Sequence, residues 1–185
     1  MKNAALFLSV LGLLVVVSIL PSCSKSSNNN STKPTLYDSL GGTAMVSDPA
    51  NSGQMIEKGR LGIRSVVDSA IFVIAGDDSI NPYFMTLLAE VTANNFSGFN
   101  ELSKNLTDFF CVGTGAKDFT YSGLSMANAH NPATNPRISE KVSVNAFNEF
   151  IVDVGKAAVK NGLPSNLINS LVVVINSQMS LVVQR

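Results

Sequence analysis

Apolar residues spaced three and four apart run through the chain from Ile56 to Val182. That spacing commits most of it to amphipathic helices, because only a helix returns every third or fourth side chain to one face. Ile56, Ile63, Val66, Val67, Ala70, Ile71 and Ile74 form one such face and predict a helix from about Met55 to Ala75. Phe99, Leu102, Leu106, Phe109 and Phe110 mark a second. Val144, Phe147, Ile151, Val154 and Ala158 mark a third, closed by Lys160-Asn161-Gly162, a basic last turn followed by glycine where a left-handed cap belongs. Pro164 and Ser165 restart the chain, and Leu167, Ile168, Leu171, Val172, Ile175, Met179 and Val182 define the last helix. Its Val-Val-Val-Ile run also has the pattern of a buried strand, but length and capping favour helix. With no repeat and no alternating strand pattern of convincing length, the domain reads as all-α.

The helices have enough material for a core, since 45% of the 185 residues are hydrophobic and only 14% are charged. Thirteen basic residues balance 13 acidic ones, so there is no basic footprint and no nucleic acid among the expected partners.

Residues 1–22 read as an export signal, with Lys2 followed by an apolar run from Ala4 to Leu20. Leu20-Pro-Ser-Cys23 resembles the lipobox of bacterial lipoproteins, which implies that Cys23 is acylated and becomes the mature N-terminus. A simple secretory signal with an incidental cysteine is the alternative. Residues 23–34 then form a lipidated cysteine and a polar tether, SKSSNNNSTKP, with nothing apolar to pack, and residues 35–185 are the folded domain. The expected location is the bacterial cell envelope, anchored to the membrane through the lipid on Cys23, on the periplasmic side. More than one acyl chain makes such anchoring stable.

With Cys23 used, Cys111 is the one remaining cysteine, so the mature chain has no intramolecular disulfide and Cys111 is expected to be a small buried hydrophobe. His130 is the single histidine. One histidine and one cysteine exclude the usual four-ligand zinc sets. Either His130 is structural, or something that is not protein completes its chemistry. The GTGAK of residues 113–117 lacks the spacing of a phosphate loop. Gly123-Leu-Ser-Met-Ala127 falls short of a nucleophile elbow and has no strand before it; a helix start capped by Ser122 or Ser125 is the better reading.

Four segments in order carry a family resemblance: Leu36-Tyr-Asp-Ser-Leu-Gly-Gly42, the LSKNLTDFFCVGTGA of residues 102–116, Tyr121 to His130, and Asn161-Gly-Leu-Pro164. Together they resemble the group I truncated haemoglobins: a short first helix ending in paired glycines, a long distal helix with a double phenylalanine, a Tyr-x-Gly turn before the proximal histidine, and a glycine break before the last helix. The resemblance implies a truncated globin, a two-over-two α-helical sandwich holding haem b (iron protoporphyrin IX). His130 would be the proximal iron ligand, with Met126 four residues before it. Phe84 would pack on the porphyrin, and Phe109 and Phe110 would line the far side. A porphyrin supplies four nitrogens, so one imidazole suffices. No C-x-x-C-H motif is present, so the haem would be held non-covalently.

The family's distal tyrosine position falls at Ile71, and the two distal-helix positions that face bound ligand fall at Leu102 and Leu106, so the ligand side is expected to be apolar. Without a hydrogen bond worth about 1–3 kcal/mol, oxygen should leave quickly, and carbon monoxide and nitric oxide should be favoured relative to relatives with a tyrosine. The implied function is reversible binding of a diatomic gas; nitric oxide dioxygenase activity is disfavoured and the redox partner is unidentified. Arg137 and Lys104 are the expected partners of the haem propionates. Residues 43–54, TAMVSDPANSGQ, exceed the family's usual link and read as a surface loop. The alternative from a different class is a haem-free globin-fold envelope lipoprotein serving as a binding or structural module.

Overall fold

The computed structural model describes residues 33–185, so the signal segment, Cys23 and all but the end of the tether lie outside the described residues. Within them no helix is long and apolar enough to cross a membrane. The chain runs through α1 (Leu36–Ser39), β1 (Met45–Ser47), β2 (Met55–Glu57), α2 (Lys58–Ala75), a 3-10 turn (Asn81–Phe84), α3 (Met85–Thr92), α4 (Ser97–Gly113), α5 (Met126–Ala129), α6 (Val144–Lys160), α7 (Ser165–Asn176) and α8 (Met179–Val182).

α1 is only four residues long and is held by a capping box: Thr35 N donates to Asp38 Oδ2 at 2.8 Å and Asp38 N donates to Thr35 Oγ1 at 3.1 Å. Gly41 and Gly42 follow with φ of +126° and +58°, conformations that L side chains resist, and they turn the chain sharply. The turn brings Tyr37 beside the start of α2, where its hydroxyl donates to Glu57 Oε2 at 2.6 Å. Burial, reinforced by that carboxylate, pushes the phenol well above its usual range.

α2 buries the face expected of it: Ile63, Val66, Val67, Ala70, Ile71 and Ile74. That face packs on α4 and α6; α6 in turn carries α7. One pair, α2 and α4, lies over the other, α6 and α7, giving the expected two-over-two α-helical sandwich with a continuous core. α6 ends as read, with Gly162 at φ +75°, and Cys111 is fully buried.

The structure departs from the expected elements in three places. Residues 55–57 are not the first turn of α2 but a strand, paired antiparallel with β1 in the register Met45↔Glu57, Val46↔Ile56, Ser47↔Met55. Ile56 is buried while Met45 and Met55 stand in solvent, so the pattern is period two over three residues. The intervening loop is closed by Asp48, which accepts from Ala50 N at 2.9 Å and Asn51 Nδ2 at 2.8 Å and pairs with Arg64 Nη2 at 2.6 Å. The stretch read as a surface loop is therefore a hairpin clamped to α2. The last helix is interrupted at Ser177 and Gln178, and after α8 Val183 forms a parallel bridge with Val142. Val144, read as part of the buried face of α6, is exposed at the first position of that helix.

Asp108 on α4 is buried yet charged, paired with Arg60 Nη2 at 2.7 Å and Lys104 Nζ at 2.8 Å. Burial acts to raise its pKa, but the two cations outweigh it and hold the carboxyl below its usual range. Arg60→Met leaves a buried carboxylate with only the exposed Lys104, and is expected to cost about 3 kcal/mol of stability in chemical denaturation, more than Lys104→Met.

Candidate functional site

Ser125 accepts from Asn128 N at 3.3 Å and starts α5, a single helical turn that ends at His130. A helix this short satisfies its carbonyls only partly and through long backbone bonds, His130 N to Met126 O and Asn131 N to Asn128 O both at 3.3 Å. Each of its four finds a side chain: Met126 O accepts from His130 Nδ1 at 2.8 Å, Ala127 O from Gln184 Nε2 at 2.7 Å, Asn128 O from Thr134 Oγ1 at 2.7 Å, and Ala129 O from Asn135 Nδ2 at 2.8 Å. Upstream, the Tyr121 ring folds back over Gly123, where a Cβ would lie 2.6 Å from the phenolic oxygen, and its hydroxyl donates to Leu124 O at 2.6 Å.

The contact with Met126 O fixes the tautomer of the neutral imidazole. A carbonyl can only accept, so Nδ1 carries the proton and Nε2 of the neutral ring keeps its lone pair. Among the described residues Nε2 has no hydrogen-bond partner. Burial pulls the His130 pKa below its ordinary 6.5, against the smaller upward effect of the Met126 carbonyl. The side chain is thus held as a neutral base with one free nitrogen.

His130 lines an apolar cavity of about 180 Å³. α2 contributes Ile71, Phe72, Ile74 and Ala75, and α4 contributes Phe99, Leu102, Leu106, Phe109 and Phe110, so these two helices present only hydrocarbon. Phe84 comes from the 3-10 turn and Met126 from α5. All the cavity residues picked out in the sequence, namely His130, Phe84, Leu102, Leu106, Phe109, Phe110, Ile71 and Met126, therefore meet at one place. His130, Phe84, Leu102 and Phe109 also border a wider, more polar cleft of about 460 Å³ that includes Glu101, Tyr121, Asn135 and Arg137.

Sequence reasoning assigned no place in the cavity to Ile138 or Phe147, which line it; Tyr83, whose hydroxyl would weaken the expectation of an apolar ligand side if it faced the pocket, lines it as well. The Tyr83 hydroxyl is engaged away from α2 and α4, within 3.1 Å of Ser143 Oγ and accepting from Arg185 Nη2 at 2.7 Å. The expected cationic partners are differently placed. Lys104 is turned to Asp108 and lines neither space, being two residues along α4 from Leu102 and so on another face. Arg137 borders the cleft, but its Nε contacts both Glu90 oxygens at 3.1 and 3.2 Å and its Nη1 pairs with Glu101 at 2.8 Å.

The helical order, the paired layers and the position of the cavity define a truncated globin fold. The chain is similar to the crystal structure of a truncated haemoglobin from Tetrahymena pyriformis, a tyrosine-to-phenylalanine mutant in its Fe(III) form, with a TM-score of 0.57 and 16% sequence identity over 82% of this chain and 100% of that one. No family model matches the sequence. No curated protein matches it either.

Because folding lowers the His130 pKa, the unfolded chain binds the proton more readily. The stability contributed by the neutral ring is then complete above pH 6.5 and is lost as pH falls through the folded pKa. Denaturation of the protein across that interval is expected to show stability rising with pH, and His130→Gln should flatten this component.

Proposed function

We propose that the protein binds haem b non-covalently through His130 and uses it to bind a diatomic gas reversibly, as a group I type of truncated haemoglobin. The observation that carries this reading is His130 Nε2, a lone pair without a protein partner on a half-buried imidazole that borders a hydrocarbon cavity. The donor set fits the group. One neutral nitrogen suits a metal that already has four in its own ring, and the apolar cavity joined to a polar cleft suits a flat apolar body with an ionised edge. Haem, when bound, supplies the iron at which the gas coordinates.

The chain's own residues do the rest. Met126 O accepts the Nδ1 proton, which keeps Nε2 basic and fixes the ring's orientation. Phe84, Phe109 and Phe110 provide aromatic surface and exclude water. Ile71, Leu102 and Leu106 offer no hydrogen-bond donor to the gas, so negative charge on its outer atom finds no stabilisation from α2 or α4. The balance shifts from oxygen towards carbon monoxide and nitric oxide, and away from nitric oxide dioxygenation. For location we propose an envelope lipoprotein acylated at Cys23, the reading supported by the lipobox-like sequence before it and the polar tether after it.

Mixing the protein with haemin and reducing it is expected to give a stoichiometric Soret band that shifts with carbon monoxide. In His130→Ala the band should be lost or change ligation. Equal spectra from both proteins, or no uptake by either, would overturn the haem reading in favour of a globin-fold binding module. Ile71→Tyr should place a donor on the ligand side and slow oxygen dissociation about ten- to a hundredfold in flash photolysis.

A further inference from the structure

We propose that Gln184 is a positioning residue for His130, and that residues 183–185 act as a strap fixing the direction of the imidazole from outside its own segment. The consequence for haem rests on the function proposed above, but the strap itself is a property of the chain. Of the side chains that satisfy the α5 carbonyls, His130, Thr134 and Asn135 all lie within six residues of the carbonyl they hold and move with the segment. Gln184 reaches Ala127 O from 57 residues away. Among the described residues it is the one side-chain hydrogen bond that ties residues 125–130 to a distant part of the fold.

The strap has a firm base. Val183 bridges Val142, Gln184 N donates to Val142 O at 2.9 Å, Arg185 Nη2 donates to Tyr83 OH at 2.7 Å, and Arg185 Nη1 pairs with Glu140 Oε2 at 2.6 Å. Val142, Tyr83 and Val182 are themselves cavity wall. Gln184 therefore connects the wall of the cavity to the turn that carries its single imidazole. Local hydrogen bonds tie the one-turn helix to its own loop and α5 packs on α8; the amide of Gln184 adds the hydrogen bond that fixes its orientation against the cavity wall.

The test uses two variants. Q184E keeps the shape but replaces the donor with a carboxylate that repels the Ala127 carbonyl, and Q184K restores a donor. In the haem-free protein, amide hydrogen exchange at Ala129 and His130, whose N–H groups bond to Ser125 O and Met126 O, is expected to be about tenfold faster in Q184E. It should be near native in Q184K, with the amides of α6 unchanged in both. In the haemin-loaded, reduced protein, the iron–imidazole stretching band should shift in Q184E and return in Q184K. Native exchange in Q184E refutes the strap whatever the haem does. Faster exchange throughout α6 as well, in both variants, also refutes it, because the residue is then general scaffolding. Faster local exchange with an unshifted iron–imidazole band refutes the positioning of His130. Faster local exchange in a protein that takes up no haem upholds the strap and overturns the haem reading alone.

Discussion

A helix buried along one side against two neighbours can neither roll nor slide, and α2 is held in this way between α4 and α6. Val67 and Ala70 are almost wholly excluded from solvent, and burying each large aliphatic residue of this face contributes about 1.5–3 kcal/mol. Ile71 and Ile74, from the same face, also form part of the cavity wall. The site is thus an extension of the core rather than a cleft carved beside it. Its hydrocarbon lining is continuous with the packing between the layers, and any polar group added there trades packing for chemistry.

Where the sequence determines structure locally, it could be read. The buried faces of α2 and α6 and the cavity-lining face of α4 follow from a period visible in the residue order, and the stop at Gly162 from a residue that accepts positive φ. The hairpin was hidden because its strands are three residues long and its loop is fixed by Arg64, from another element. The interruption at Ser177 and Gln178 carries neither proline nor glycine to announce it. Within the site, the resemblance gathered the aromatic and leucine positions, but Tyr83, Ile138 and Gln184 reach it only through tertiary folding. No spacing rule links Gln184 to Ala127.

Charge is kept out of the cavity and matched elsewhere. Asp108 sits with Arg60 and Lys104, Asp48 with Arg64, and Arg137 with Glu90 and Glu101. With 13 charges of each sign, the chain has no large net charge with which to draw a charged ligand in. A small uncharged ligand needs no such guidance; it partitions into hydrocarbon unaided.

Cys111 gives this arrangement a chemical consequence. The thiol is fully buried and its pKa is pushed up to about 11, chiefly by that burial, so at neutral pH the nucleophilic thiolate is scarce. Reactive oxygen and nitrogen species formed near the molecule meet no ready sulfur nucleophile there. Among the described residues, the thioethers that stand in solvent are those of Met45 and Met55 on the hairpin and Met85 at the start of α3. Oxidative wear should fall first on these methionines, away from the core, as sulfoxides that cellular reductases can repair.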